Sequence, residues 1–289
     1  MESARAPTTE VPARGGAQLA PGTLDGWYVF HQLFRVDWPA LKALDDGDRS
    51  RLTTGLSNLL DRWSSGASEG WSGAYGMVGG GVDLMLLHFR PTIEEAGAAG
   101  RAFALAEAAD FMDLDHDYLS IVELGLYALT VEVAGRVDPA DHEAYRAALD
   151  EALEAQREKD YVRRRLNPIQ PENMPYVCYY PMDKRRDKDA NWYSLPIETR
   201  SELMQAHGAV GRRFAGRISQ VISGSLGLAD WEWAVTLWAA DPLRFKEIVT
   251  EMRYDEASAE YAEFGRFFVG RRLSVDGLRA FLSTDEETG

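Results

Sequence analysis

The sequence predicts an α+β fold: two ferredoxin-like repeats in tandem, forming a dimeric α+β barrel within one chain. Three observations predict it. The order strand–helix–strand–strand–helix–strand is written twice, and that order is the ferredoxin-like unit. Glycine turns part short apolar runs in both halves, at Gly79-Gly80-Gly81 and again over 224–227. In both halves an Asp with a Pro close behind opens a helical pattern, Asp37 with Pro39 and Asp241 with Pro242.

In the first repeat, residues 27–36 read as a strand and 39–63 as one helix capped by Asp37. Strands over 72–78 and 82–89 flank the glycine triplet. A phosphate-binding loop is excluded there, because no helix and no Lys-Ser/Thr ending follows. A helix over 92–109 and a strand over 118–131 complete the unit. The second repeat has a strand over 176–182, a helix over 198–214 and strands over 217–223 and 231–238. A helix over 242–252 and a strand over 264–269 end it. Antiparallel sheets of this kind carry helices on one face, and two placed edge to edge make one wall. The expected organisation is a disordered tail over 1–25, a first domain over 26–131, a charged connector over 132–175 and a second domain over 176–289. The connector has a helical stretch over 141–160 and is expected to deliver Arg163, Arg164 and Arg165 to the second unit.

The 289 residues are 45% hydrophobic and 27% charged, the balance of a soluble globular protein. No run approaches the roughly 18 apolar residues of a membrane span. Residues 1–22 lack the apolar core of a secretory signal. The single cysteine, Cys178, excludes an intramolecular disulfide, and a cytoplasmic location is the expectation. A formal charge of −15 argues against nucleic-acid binding, which needs a basic face. Against that background, residues 161–188 hold seven cations (Arg163, Arg164, Arg165, Lys184, Arg185, Arg186, Lys188) and three anions. Such an island is either a solvated face paired with acidic neighbours or a seat for a modest anionic ligand.

The five histidines are His31, His88, His116, His142 and His207, and none forms a zinc-type pair; no nucleophile elbow is present. Any chemistry therefore points to a cofactor. His207 lies on the helix face that carries Leu203, Met204, Val210, Gly211 and Phe214. It is either a core histidine or a metal ligand, and Gly208 and Gly211 would let a flat macrocycle approach. On the strand over 176–182, Tyr180 and Met182 face one way and Lys184 continues their row, while Tyr179 and Pro181 face the other. That row is either ordinary packing with a lysine at the solvent end or the edge of a site for an anionic aromatic ligand.

The run Tyr179-Tyr180-Pro181-Met182-Asp183-Lys184-Arg185-Arg186, followed by Asn191-Trp192-Tyr193 and Leu195-Pro196, resembles the coprohaem decarboxylases of the chlorite dismutase-like superfamily. The likeness continues through His207-Gly208, residues 220–225, 230–233 and 251–256, and ends near Val269-Gly270. The first half is similar only in its order of elements and in Leu86, His88, Phe89, Arg90, Pro91 and Thr92.

The resemblance implies hydrogen peroxide-dependent oxidative decarboxylation of two propionates of iron-coproporphyrin III (coprohaem) to vinyls, giving haem b. It implies that the second domain holds the haem and that the first is without it. His207 matches the axial iron ligand, and Tyr180 the tyrosine whose radical takes hydrogen from a propionate. Lys184 matches the lysine at a reactive propionate, and Met182 a residue at the porphyrin edge. Gln220 matches the distal position, where chlorite dismutases carry an arginine. Arg165 and Ser258 match propionate anchors; the loop to Tyr180 differs by one residue, so Arg164 is the substitute for Arg165. The basic island then answers four carboxylates. The alternatives are a chlorite dismutase or haem peroxidase, the former disfavoured by Gln220, and a non-catalytic haem-binding carrier or sensor. A ring of five subunits is implied, and a transient contact with a ferrochelatase is left open.

Overall fold

The computed structural model describes residues 18–64 and 70–282. The expected tail lies outside these residues up to position 17, and its last residues are strand, because β1 (Thr23–Val36) begins inside it.

The first repeat continues with α1 (Trp38–Ala43), α2 (Asp46–Ser64), β2 (Trp71–Met77), β3 (Leu84–Arg90), α3 (Ile93–Ala104) and β4 (Met112–Gly125). Asp37 Oδ1 accepts from the Ala40 amide at 3.0 Å, and Thr92 Oγ1 from Glu95 at 3.2 Å, so side chains satisfy the free amides at both helix starts. The single helix expected over 39–63 is two. Leu44 is extended at φ −67° and ψ 146°, and Asp45 Oδ1 caps the new start at the Asp48 amide, 2.8 Å away. Gly80 and Gly81 turn the β2–β3 hairpin at φ +86° and +71°, which favours glycine.

The strand expected over 118–131 ends at Gly125, and α4 (Tyr127–Ala134) follows. Its β-branched Thr130, Val131 and Val133 suit a strand by propensity, but packing between α5 and α7 overrides it. The connector goes on with α5 (His142–Arg157) and α6 (Asp160–Leu166). Val162 and Leu166 of α6 pack against Leu24 and Leu124, and a Cβ on Gly26 would overlap the Leu166 carbonyl. The basic helix therefore docks on the first repeat, not on the second as its sequence position suggested.

The second repeat comprises β5 (Tyr176–Lys184), α7 (Ile197–Arg212), β6 (Ile218–Gly224), β7 (Trp233–Ala239), α8 (Leu243–Met252), α9 (Glu256–Ala259), β8 (Ala262–Phe264) and β9 (Phe268–Leu273). The final α10 (Val275–Leu282) returns to the first repeat. The last strand, expected over 264–269, is divided at Gly265. Both pieces pair with β5, β8 along Met182–Lys184 and β9 along Tyr176–Tyr179.

Strand order is β4-β1-β3-β2 in one repeat and β6-β7-β5-β9 in the other, the same permutation. Antiparallel pairing of β2 with β9 and of β4 with β6 closes eight strands into a ring, so each has two neighbours. Tandem ferredoxin-like units thus form one barrel, as predicted. Its interior is packed with Leu33, Phe89, Tyr118, Tyr179, Trp238 and Phe268. One apolar layer lies outside each half, under α2, α3 and α10 in the first and under α7 and α8 in the second. Among the described residues, no helix is long and apolar enough to cross a membrane.

Candidate active site

The two outer layers are built alike but closed differently. In the first repeat, α2 seals its sheet with Leu52, Leu56, Leu59 and Leu60, all buried. Its counterpart α7 buries only Ile197 and Arg200 at its start. Leu203, Met204, His207, Val210 and Gly211 remain half-buried, and Gln220 on the sheet opposite is exposed. Helices α4, α8 and α9 hold α7 in place. A half-buried apolar helix face beside an apolar sheet face can take a flat ligand in a slot between them.

His207 is fixed in that slot from behind. Its Nδ1–H donates to Asp255 Oδ2 at 2.6 Å, which leaves the Nε2 lone pair free to ligate a metal. Asp255 is itself held: Ser258 donates to the same oxygen through Oγ at 2.9 Å and through its amide at 3.2 Å. Ser258 thus braces the carboxylate that supports the histidine.

The other wall is the outer face of β5, β7 and β6. Cys178 and Tyr180 belong to the layer under α7 and α8 with Met182 packed on it, whereas Tyr179 faces the barrel interior. Tyr180 is 8% exposed and stacks on Phe267 at 4.3 Å and 24°. Burial pushes its pKa up, so the phenol keeps its proton. Gln220 sits two strands across, level with Leu237 and Cys178, roughly 10 Å from β5 by strand spacing. Lys184 is 9% exposed. Its Nζ donates to the Ala257 carbonyl at 2.9 Å and lies 4.1 Å above the Trp192 ring. Burial lowers its pKa to about 8, with Asp255 and Glu232 pulling the other way.

Comparison with known proteins agrees with this geometry. The family model of chlorite dismutase matches residues 49–273. The chain belongs to the chlorite dismutase family. The coproheme decarboxylase of Staphylococcus saprophyticus is 40% identical over 262 residues, spanning 90% of this chain and 97% of its own. A solved heme-binding protein from Thermus thermophilus is 38% identical with a TM-score of 0.78, covering 91% of this chain and 97% of that one. A mutant chlorite dismutase from Candidatus Nitrospira defluvii shares the fold at 16% identity and a TM-score of 0.67, over 90% of this chain and 97% of that one.

Within this family member, the residues present fit a porphyrin: one oriented imidazole, an apolar slot, a row of polarisable side chains and cations at its margin. The basic island divides. Arg163 pairs with Asp160 at 2.8 Å, Arg185 with Asp187 at 2.7 Å and Arg186 with Glu232 at 3.6 Å, ordinary surface pairing. Arg164 and Arg165 make no ion pair among the described residues, and both are exposed on α6. Among those residues, no contact joins Arg165 to Tyr180, Lys184 or His207. Three of the other histidines face elsewhere, and His142 is exposed at the start of α5. His88 is buried, hydrogen-bonded to Ser72 and pushed down to about 3; His31 and His116 point into the barrel.

Three residues of the site escaped the sequence reading. Asp255 falls in the resembling run 251–256 but carried no role there. Phe267 lies in the break between β8 and β9. Arg253 sits 4.0 Å over the Phe264 ring, whose centroid is 5.9 Å from that of Tyr180, which sets a guanidinium beside the phenol. Asp255 had a local signal, since it stands three residues before Ser258 as a helix cap.

Proposed function

We propose that this chain converts coprohaem to haem b by hydrogen peroxide-dependent decarboxylation of two propionates. The observation that carries the reading is an imidazole braced by Asp255 on a half-buried helix face, beside the sheet layer that holds Tyr180 and Met182. When bound, the iron porphyrin supplies the oxidising power of peroxide. His207 Nε2 would hold the iron, and Gln220 is the neutral polar side chain on the facing sheet wall. Tyr180 would give its phenolic hydrogen, proton and electron together, to the oxidant derived from peroxide, and would then take a hydrogen atom from the propionate carbon next to the ring. Carbon dioxide leaves, the second oxidising equivalent of the same peroxide takes the remaining electron, the peroxide oxygens end as water, and a vinyl remains. Lys184 and Arg253 hold the carboxylates near Tyr180 through charge-assisted hydrogen bonds, and Arg164 and Arg165, both exposed, are the cations assigned to the outer ones. Met182 lines the porphyrin edge. Placement is the protein's share of the catalysis. The neutral Gln220 favours this reaction over chlorite dismutation. A homopentamer in the cytoplasm is part of the same proposal.

The test is porphyrin mass after incubating the full-length protein with coprohaem and hydrogen peroxide. Wild type is expected to give haem b, and Tyr180→Phe to bind coprohaem with all four propionates retained. Unchanged mass in wild type would leave a haem carrier, and normal product from Tyr180→Phe would remove Tyr180 from the mechanism.

A further inference from the structure

The barrel interior carries a second redox-capable phenol that the proposed chemistry does not use. Tyr179 precedes Tyr180 in β5 but faces inward and is fully buried. Its hydroxyl lies 3.0 Å from His116 Nε2. His31 stacks on its ring at 4.1 Å and 18°, and Phe268 at 5.6 Å and 12°. His116 in turn lines a cavity of about 300 Å³ with Asp115, Asp117, Asp230 and Trp231, and Asp117 is exposed at its rim. A buried phenol thus has a base at hydrogen-bond distance, and that base has a route to water.

This arrangement differs from that of Tyr180. The Tyr180 hydroxyl has no hydrogen-bond partner among the described residues; its ring meets Phe267 and Phe264. A phenol loses an electron readily only when its proton has somewhere to go. Burial holds the Tyr179 pKa well above normal and lowers that of His116, so near neutral pH the pair is a phenol and a neutral imidazole able to accept. Of the two phenols, Tyr179 is the one whose proton has an acceptor at hydrogen-bond distance.

We propose that Tyr179 and His116 form a proton-coupled electron relay that returns oxidised Tyr180 to its phenol when no propionate is within reach. One electron passes from Tyr179 to the Tyr180 phenoxyl, which takes one proton from water and leaves hydroxide, matched by the proton that Tyr179 releases. Tyr179 becomes the phenoxyl, and its proton moves to His116 Nε2, giving imidazolium. The oxidant is hydrogen peroxide acting through the bound iron porphyrin, so the inference rests on the function proposed above. The relay removes oxidising power from beside the porphyrin.

The first measurement needs no porphyrin. Full-length protein is photo-oxidised with ruthenium tris-bipyridine and persulfate, frozen and examined by electron paramagnetic resonance. The expected main signal is a hydrogen-bonded tyrosyl radical, lost in Tyr179→Phe, which keeps the ring stacked on His31 and removes only the hydroxyl. It is expected to be lost equally in His116→Gln, which keeps a polar partner but no base. A signal that survives in His116→Gln makes the contact mere packing and overturns the relay. The second measurement pulses the haem b-loaded protein, which has no reactive propionate, with hydrogen peroxide. Both variants are expected to bleach the porphyrin several-fold faster than wild type, and equal rates overturn the proposal. Failure of the proposed function shows separately, as no vinyl product from wild type and coprohaem, with the photo-oxidation result standing on its own.

Discussion

Asp255 accepts the Nδ1 proton of His207 at 2.6 Å, and Ser258 fixes that carboxylate with two further donors. A carboxylate behind a ligating imidazole sets its tautomer and raises its basicity, and such supports typically contribute about 10–100-fold in metal affinity. Asp255→Asn is expected to weaken iron-porphyrin binding about tenfold, read by titrating the Soret band. An unchanged affinity would reduce Asp255 to a cap on α9. Lys184 makes a second prediction. Its ammonium, lowered to about 8 by burial, is lost in the free protein as pH rises through that value. A propionate beside it favours the ammonium and raises its pKa in the complex. Affinity for coprohaem is therefore expected to be full below pH 8 and to fall above it, by up to about tenfold per pH unit. Lys184→Met is expected to flatten that decline between pH 8 and 10; parallel curves would place the contact elsewhere. The row Tyr180, Met182, Lys184 was legible because a strand alternates with period two. The Asp255–His207 contact was not, because it joins residues 48 positions apart, one on α7 and the other at the cap of α9.

Helices α2 and α7 occupy equivalent places in the two repeats, yet only α2 closes its layer. Four leucines at helical spacing stabilise that closure by roughly 1.5–3 kcal/mol each relative to exposure. On α7, His207 and Gly211 fall among Leu203, Met204 and Val210, so the stripe lacks the bulk to fill the space beneath it. In the porphyrin-free protein, α7 amides are expected to exchange with deuterium faster than those of α2, and porphyrin binding is expected to slow them selectively. Equal protection before binding would mean that the slot is already filled by side chains. The interrupted stripe was written in the sequence, but there it reads equally well as a loosely packed helix. The placement of α4 and the division of β8 from β9 were less legible. In both, neighbours that lie far off in sequence decide the backbone: α7 against α4, and β5 against the two strand pieces.

Barrel closure depends on the β2–β9 and β4–β6 pairings, which join the repeats and have no local signature in the chain. The order of elements foretold two sheets; which edges meet follows only from the whole molecule. Closure also traps polar groups that must stay neutral. His31 lies inside the barrel, and His88 lies on the outer face of β3 against Trp63 of α2 at 4.8 Å. Burial pushes both down to about 3, helped by His116 and His88 for His31 and by Arg90 for His88. In the unfolded chain they titrate near 6.5, so below that pH the unfolded state takes up protons that the folded state refuses. Their contribution to stability is complete above pH 6.5 and is lost as pH falls toward 3. The two together give a slope of at most about 2.7 kcal/mol per pH unit. Urea denaturation from pH 7 to 4 is expected to show a steep loss in wild type. His88→Asn, which leaves a polar partner for Ser72 but no titrating ring, is expected to roughly halve the histidine part of that slope. If the two slopes coincide, paired carboxylates such as Asp115 with Arg35 and Arg266 set the acid limit, and the barrel tolerates a charged histidine beneath its helices.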